Sequence, residues 1–370
     1  MRENWTYKKL GEVCTSITDG SHNPPKGIEH SEYRMISSQN IFDDEIRIND
    51  GNVRFLTEED HYKENKRTKL SKDVVLLTIV GTIGRACVLK GTEGFLTLQR
   101  SVAALQPSPK VYPRFLMHGL IGNRRKLEQE AHGIAQRGIY LRQLSELEIP
   151  IPPLSEQHSI VAELDKINEL ISLKKAQLSD LDALAQSIFY DMFGDPIENE
   201  KGWEVKKLGD ACLLKAGKAI KASDLVEKTN NTFPCYGGNG IRGYIDRFSH
   251  EIDLPIIGRQ GALCGNVNFA KGPFYATEHA VVVTPHVKLD VVWLYYVLKG
   301  LRLEDYAHGV AQPGISVSDL NPISLPLPPL SLQQEFAKRI ELIEQQKAQI
   351  SSTIKDLETL LASRMQYWFD

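Results

Sequence analysis

Arginine, asparagine and glutamine stand beside glycine in several short stretches of this chain. In the first half, Gly81-Thr82-Ile83-Gly84-Arg85 is followed by Gln99-Arg100. In the second half, Gly237-Gly238-Asn239-Gly240-Ile241-Arg242-Gly243 is followed by Gly258-Arg259-Gln260-Gly261, with His279 further on. Glycine lets a backbone come close to a phosphate. Arginine pairs with guanine, and asparagine or glutamine with adenine, through two hydrogen bonds at once. The candidate nucleic-acid contacts are therefore Thr82, Arg85, Gln99, Arg100, Gln136 and Arg137 in the first half, and Asn239, Arg242, Arg259, Gln260, His279 and Gln312 in the second. Tight β-turns with solvated polar side chains would account for the same composition.

Other chemistries find little support. The sequence contains no G-x-x-x-x-G-K-[ST], H-E-x-x-H or G-x-S-x-G. Asn23-Pro24-Pro25-Lys26 approaches the N-P-P-aromatic loop of adenine methyltransferases, but lysine replaces the aromatic that would stack on an extruded base. It reads as a turn. His132 and His308 recur in equivalent positions with no carboxylate or nucleophile at a shared spacing, so a structural or backbone-contacting role is expected. Cys14, Cys87, Cys212, Cys235 and Cys264 form no C-x-x-C pair, which argues against a disulfide framework or a zinc site and for reduced, buried thiols. A hydrolase built on Cys235 or His279 would need a spaced nucleophile, base and orienting group, and none is evident.

The elements that position these loops are announced by duplication. Residues 132–157 and 308–333 are identical at 13 of 26 positions without a gap, and both contain H-G-x-A-Q-x-G-I and P-x-P-P-L-S-x-Q. A second echo pairs residues 5–14 (WTYKKLGEVC) with 203–212 (WEVKKLGDAC), identical at six of ten positions. The first unit carries 22 more residues between its landmarks than the second, and a basic run, Lys63, Lys66, Arg67, Lys69 and Lys72, lies in that longer stretch. The run is a solvated face or a track for a phosphate strand. Gln136 and Gln312 recur with Gly138 and Gly314 just before the prolines, which suits a task common to both units.

Within each unit, short β-branched runs bounded by glycine predict strands at 73–79, 86–89, 101–105, 254–257, 267–269 and 280–284. Helices are expected at 113–120 and 291–298. The prolines at 150–153 and 326–329 enforce an extended backbone, and the following Ser155 and Ser331 are natural helix N-caps. From there apolar residues recur at alternating steps of four and three: Ile160, Leu164, Ile167 and Ile171 in one stretch, Phe336, Ile340 and Ile343 in the other, resuming at Ile350 after Lys347. This is a coiled-coil seam, about 57 Å long for some 38 residues. Lys174 and Lys347 interrupt it at non-equivalent places, which would help set register. The simplest packing is antiparallel; two independent amphipathic helices are the alternative.

The expected fold class is mixed α/β (α+β): two globular domains joined by two long antiparallel coiled-coil helices with pseudo-two-fold symmetry. The expected boundaries are 1–153, helix 154–193, linker 194–202, 203–329 and helix 330–370. At 370 residues two or three domains are expected, and no apolar run or leader-like stretch is seen, which predicts a cytoplasmic protein with no membrane partner. The net charge is −3, but residues 155–192 carry seven acids and three bases and residues 331–370 six acids and five bases, leaving the globular parts at +2. Slightly basic domains permit phosphate contact without demanding it.

The arrangement resembles the specificity subunit of type I restriction–modification enzymes. The resemblance rests on H-G-x-A-Q-x-G-I at 132–139 and 308–315, the two P-x-P-P-L-S-x-Q hinges, the G-T-I-G-R loop, and the Y-G-G-N-G-I-R-G-Y and G-R-Q-G-A-L-C-G-N-V segments, and covers essentially the whole chain. It implies that each globular unit is a target recognition domain reading one half of a split, asymmetric double-stranded DNA sequence. It further implies that the helices space the domains and dock two modification subunits that methylate adenine N6. On this resemblance the chain binds no cofactor or metal and is not itself an enzyme. S-adenosylmethionine, ATP and Mg2+ belong to partner subunits, which in cleaving complexes include two restriction subunits. The units differ outside the hinge (97–101 corresponds roughly to 277–280), so two different half-sites are expected. The alternatives are a specificity subunit of another restriction–modification type and a coiled-coil adaptor joining two protein-binding domains.

Overall fold

The computed structural model describes residues 5–49, 51–132, 137–309 and 313–369. It divides into two units, Met1–Lys174 with Thr353–Asp370, and Lys175–Ser352. In unit 1, strand β1 (Thr6–Lys9), helix α1 (Leu10–Val13) and β2 (Cys14–Asp19) precede β3 (Arg34–Ile36), β4 (Ile41–Phe42), β5 (Glu45–Ile46) and β6 (Arg54–Phe55). Helix α2 (Glu58–Thr68), β7 (Val75–Thr78), β8 (Ala86–Val88), β9 (Leu96–Leu98) and β10 (Val102–Pro107) follow. Then come α3 (Pro113–Gly122), α4 (Arg124–Glu130), α5 (Leu141–Glu146), β11 (Glu148–Ile151) and the long helix α6 (Leu154–Phe193).

Unit 2 runs through β12 (Glu204–Lys207), α7 (Leu208–Ala211), β13 (Cys212–Ala216), β14 (Phe233–Gly237), β15 (Gly240–Ile245) and β16 (Leu254–Gly258). It continues with β17 (Val267–Ala270), β18 (Tyr275–Ala276), β19 (Ala280–Pro285), α8 (Val291–Gly300), α9 (Val317–Leu320), β20 (Ser324–Leu327) and the long helix α10 (Leu330–Phe369). Each long helix is divided between the units.

The units repeat one topology. Unit 1 has an antiparallel sheet in the order β2-β10-β7-β8, and unit 2 one in the order β13-β19-β16-β17. A second sheet is β6-β3-β9 in one and β15-β14-β18 in the other, with one antiparallel and one parallel pairing in each. The extra residues of unit 1 occupy two connections. The β4–β5 hairpin lies between β3 and β6, where unit 2 needs only the turn at Gly238-Asn239, and α2 lies between β6 and β7.

Period-two alternation explains why the central strands are mostly apolar on both faces. In β7 and β10, Val75, Leu77, Ala103 and Leu105 face one core, while Leu76, Val102 and Ala104 face the other. Unit 2 divides its strands in the same way, Ile257, Val281 and Val283 to one core and Leu254, Ile256, Ala280 and Val282 to the other. Both faces being covered, no polar residue is needed on either.

The two sequence echoes of each unit meet in space. β1 pairs with β11 in the register Lys8↔Ile149, and β12 with β20 in the register Lys206↔Leu325. The W-x-x-K-K-L-G strand and the proline-rich strand are thus the two halves of one closing ribbon. The following turn is tied by Leu10 N–H to the Leu147 carbonyl at 2.9 Å and by Leu208 N–H to the Ile323 carbonyl at 2.8 Å.

Within unit 1, α6 and α10 run antiparallel. Arg364 pairs with Glu163, whose carboxylate also accepts from Trp368 Nε1 at 3.2 Å, while Ile160, Leu164 and Phe369 are buried together. Within unit 2 they do so again, with Lys347 Nζ 2.7 Å from Asp182 and 2.8 Å from Glu344, beside buried Ala185, Phe189, Phe336, Ile340 and Ile343. The lysine in the seam is accommodated by carboxylates flanking it. Two details differ from the sequence reading. The helices begin at Leu154 and Leu330, and their first turns close on the Pro153 and Pro329 carbonyls, so Ser155 and Ser331 lie inside the helix and are not caps. A proline already holds the extended φ of a cap and forfeits no N–H there. Phe189, Phe193 and Phe369 are buried although they lie off the seam, because they pack on the globular parts as well.

No helix among the described residues is long and apolar enough to cross a membrane. All five cysteines are buried, and burial pushes the thiols of Cys14, Cys87 and Cys212 up to about 12.

Candidate nucleic-acid interface

Hydrogen bonds between main-chain atoms set the loops of the two units in a common register. Ile79 N–H donates to Ser101 and Arg259 N–H to His279; Gln99 N–H donates to Ile36 and Thr277 N–H to Tyr236; Thr78 N–H donates to the Arg85 carbonyl. Gly84 N–H donates to the Thr78 carbonyl, and Gly265 N–H to that of Gly258. Gly20 and Gly217 cross the same strand so closely that a Cβ would lie 2.1 Å from the Leu98 or Ala276 carbonyl oxygen. By this register Arg85 matches Asn266, Val80 matches Gln260, Gln99 matches Thr277, Arg100 matches Glu278 and Ser101 matches His279. The rough sequence correspondence of 97–101 with 277–280 acquires a register: Thr277 occupies the place of Gln99 and His279 that of Ser101. Sequence matching cannot see this register, because the side chains differ and only the peptide groups repeat.

The H-G-x-A-Q-x-G-I repeat explains how the loops are held. His132 and Gly138 exchange two main-chain hydrogen bonds of 2.9 Å, and His308 and Gly314 do the same at 2.9 and 2.8 Å. The far side of each clasp binds one of the candidate loops. Gly81 N–H donates to Arg137 and Ile139 N–H to Ile79; Gly261 N–H donates to Pro313 and Ile315 N–H to Arg259. The repeat is therefore a splint in which both histidines bond through their backbones, the His308 ring also lying 3.5 Å from Asp319. Gln136 and Gln312 lie outside the described residues.

In unit 1, Thr82 and Arg100 are exposed and Arg85 and Gln99 half-buried. The Arg85 guanidinium sits 4.8 Å over the Phe42 ring, and its amide donates to Thr78 Oγ1 at 2.9 Å. Arg137 donates to the Glu128 and Ala131 carbonyls at 2.7 and 3.3 Å, satisfying the end of α4. Ser38 and Gln39, which sequence reading passed over, leave β3 beside these loops, with Ser38 N–H 3.0 Å from Ser101 Oγ. The basic run begins on α2, whose Thr57 cap and acidic first turn suit a helix N-terminus, and Arg67 pairs with buried Asp19.

Unit 2 gathers its candidates more tightly. Asn239, Arg242, Gln260 and His279 line one concavity of about 440 Å³ with Gly237, Gly238 and Gly261. Gly258 is pressed against Gly238, where a Cβ would come within 2.3 Å of the carbonyl oxygen. Around this concavity Arg259 Nε, Thr277 Oγ1, Asn268 Nδ2 and Glu278 Oε2 are buried without a hydrogen-bond partner. Buried polar atoms with unspent capacity are costly within a free protein. Glu278 and Asn266 were missed in the sequence; the G-N at 265–266 was in view but lacked a register. Cys235 is buried on β14, and burial pushes its thiol up, the reverse of what a nucleophile requires.

Two matching units, unlike loops and a helix pair form a recognisable set. The family model for the type I restriction modification DNA specificity domain matches residues 2–183 and again 200–359. The chain belongs to that family. It is 38% identical to the type I restriction enzyme EcoprrI specificity subunit of Escherichia coli over 50% of this chain and 47% of that protein. It is 24% identical to the putative MjaX specificity subunit of Methanocaldococcus jannaschii over 97% of this chain and 93% of that one. The solved S subunit of a type I system from M. genitalium shares the fold, with a TM-score of 0.58 at 19% identity, covering 100% of this chain and 97% of that one. Members of this family are the DNA-recognition components of type I restriction–modification systems, and the mixed helix-and-strand fold with long helices is theirs.

Proposed function

We propose that this chain gives a type I restriction–modification complex its DNA sequence specificity, each unit reading one half of a bipartite, asymmetric target. The recognition domains are residues 1–153 and 203–329, with helices 154–193 and 330–370 docking two modification subunits that methylate adenine N6, and 194–202 as linker. Modification and restriction subunits carry the S-adenosylmethionine, ATP and Mg2+ chemistry in the cytoplasm; this chain recognises DNA and performs no catalysis itself.

The observation that carries the reading is the shared main-chain register with unlike side chains: Arg85 against Asn266, Val80 against Gln260, Arg100 against Glu278. One scaffold placed twice addresses two half-sites, and different donors and acceptors at matched places address different sequences. Thr82, Arg85, Gln99, Arg100, Gln136 and Arg137 belong to one reader, and Asn239, Arg242, Arg259, Gln260, His279 and Gln312 to the other.

Methylome sequencing of a host expressing the chain with its modification subunit tests this. N6-methyladenine in a single split motif with a fixed gap is expected. An assembled complex that methylates no such motif overturns it.

A further inference from the structure

Arg100 and Glu278 occupy the same place in the two units. Each follows the strand that runs parallel to β3 or β14, and each precedes the residue whose carbonyl accepts from Ile79 or Arg259. The scaffold is equal and the charge opposite. Arg100 is exposed and offers only donors. Glu278 offers only acceptors when ionised. Its Oε1 lies 3.3 Å from His279 Nε2 on a side chain 38% exposed, while Oε2 is buried without a donor, so Oε1 is the oxygen open to a ligand. His279 in turn lines the concavity with Asn239, Arg242 and Gln260. A carboxylate is repelled by phosphate, so a place for it in a DNA-reading loop calls for a base edge that donates. Among major-groove edges, the amino group of cytosine N4 is the donor that a carboxylate reads, whereas the guanine O6 and N7 acceptors are what arginine reads.

We propose that this matched position determines specificity with opposite polarity in the two halves: Glu278 accepts from the N4 amino group of a cytosine in one half-site, and Arg100 donates to a guanine in the other. The assignment rests on the reading of the two units as DNA readers and adds to it which base each selects at this place. His279 lies beside the carboxylate and shares a concavity with Asn239, Arg242 and Gln260, so the neighbouring positions of that half-site are read by other side chains.

The test compares the methylated motif of the full complex for the unaltered chain and for Glu278→Gln, Glu278→Arg and Arg100→Ala. A carboxamide keeps the size of Glu278 but exchanges one acceptor for a donor. The expected result is about a tenfold loss of discrimination in Glu278→Gln at one G·C pair of one half-site, with the rest of the motif intact. Glu278→Arg should favour guanine where the unaltered chain takes cytosine, and Arg100→Ala should relax a single guanine in the other half. The proposal is overturned if Glu278→Gln leaves the motif unchanged, if both positions relax the same half, or if methylation falls equally at every site, which marks a structural carboxylate. Absence of a split motif for the unaltered complex instead refutes the two-reader function itself.

Discussion

The glutamine that ends each P-x-P-P-L-S-x-Q repeat is the residue whose removal the structure prices most directly. Gln157 is fully buried. Its Oε1 accepts from Tyr112 N–H at 2.8 Å, and its Nε2 donates to the Pro152 carbonyl at 2.9 Å and the Lys110 carbonyl at 3.1 Å. Gln333, its equivalent, accepts from Asp290 N–H at 2.9 Å and donates to the Pro328 carbonyl at 2.8 Å. Each glutamine fastens the first turn of a long helix to the loop before α3 or α8. Methionine keeps the volume but makes none of these bonds. At about 1 kcal/mol for each main-chain group left unpaired, Gln157→Met should cost about 3 kcal/mol and Gln333→Met about 2 kcal/mol. Amide hydrogen exchange reads this locally. Tyr112 N–H should exchange roughly a hundredfold faster in Gln157→Met, and Asp290 N–H roughly thirtyfold faster in Gln333→Met, each with little change in the other unit. Unaltered exchange at Tyr112, or a larger effect at Asp290, would refute the assignment of the repeat glutamine as a clasp.

Asp165 on α6 accepts from His118 and Arg114 at 2.7 Å; burial pushes its pKa up, but these hydrogen bonds and charges overcome it and hold it at about 2. A carboxyl lowered in the folded state contributes stability that is full above its ordinary value of 3.8 and is lost as pH falls through about 2, so Asp165→Asn should cost about 1–2 kcal/mol at pH 7 in urea unfolding, with the difference shrinking below 3.8 and vanishing only below about 2. A pH-independent difference would show that the pair is screened by solvent. Gly258→Ala should impair DNA binding through one half-site alone, because its Cβ meets the Gly238 carbonyl oxygen at 2.3 Å; Gly261→Ala, with open space but a φ of +88°, should cost only about 1 kcal/mol. Binding to duplexes with either half-site scrambled measures both, and equal loss at the two halves would contradict the separation of the readers.

Much of this organisation is legible in the residues. The strands at 75–78 and 254–258 announce themselves as apolar runs because both their faces are covered. The seam of Ile160, Leu164, Phe336 and Ile340 is a matter of period, and the proline hinges of local backbone restriction. The candidate site was legible in kind, since glycine, arginine and amide side chains cluster in these loops. It was not legible in register. The loop equivalent to 81–85 is 261–266, while the more conspicuous glycines at 237–243 form the turn between β14 and β15.

The sequence by itself determined the duplication, the strand and helix periods and the absence of familiar catalytic motifs, because each of these is written in residues close together along the chain. Only the tertiary structure decided that the two echoes of each unit close one ribbon and that H-G-x-A-Q-x-G-I splints a candidate loop. It alone decided that Arg100 and Glu278 stand in the same place. Those facts depend on hydrogen bonds between peptide groups far apart in sequence. A peptide group bonds in the same way whatever its side chain, so the register it imposes leaves no mark on residue identity.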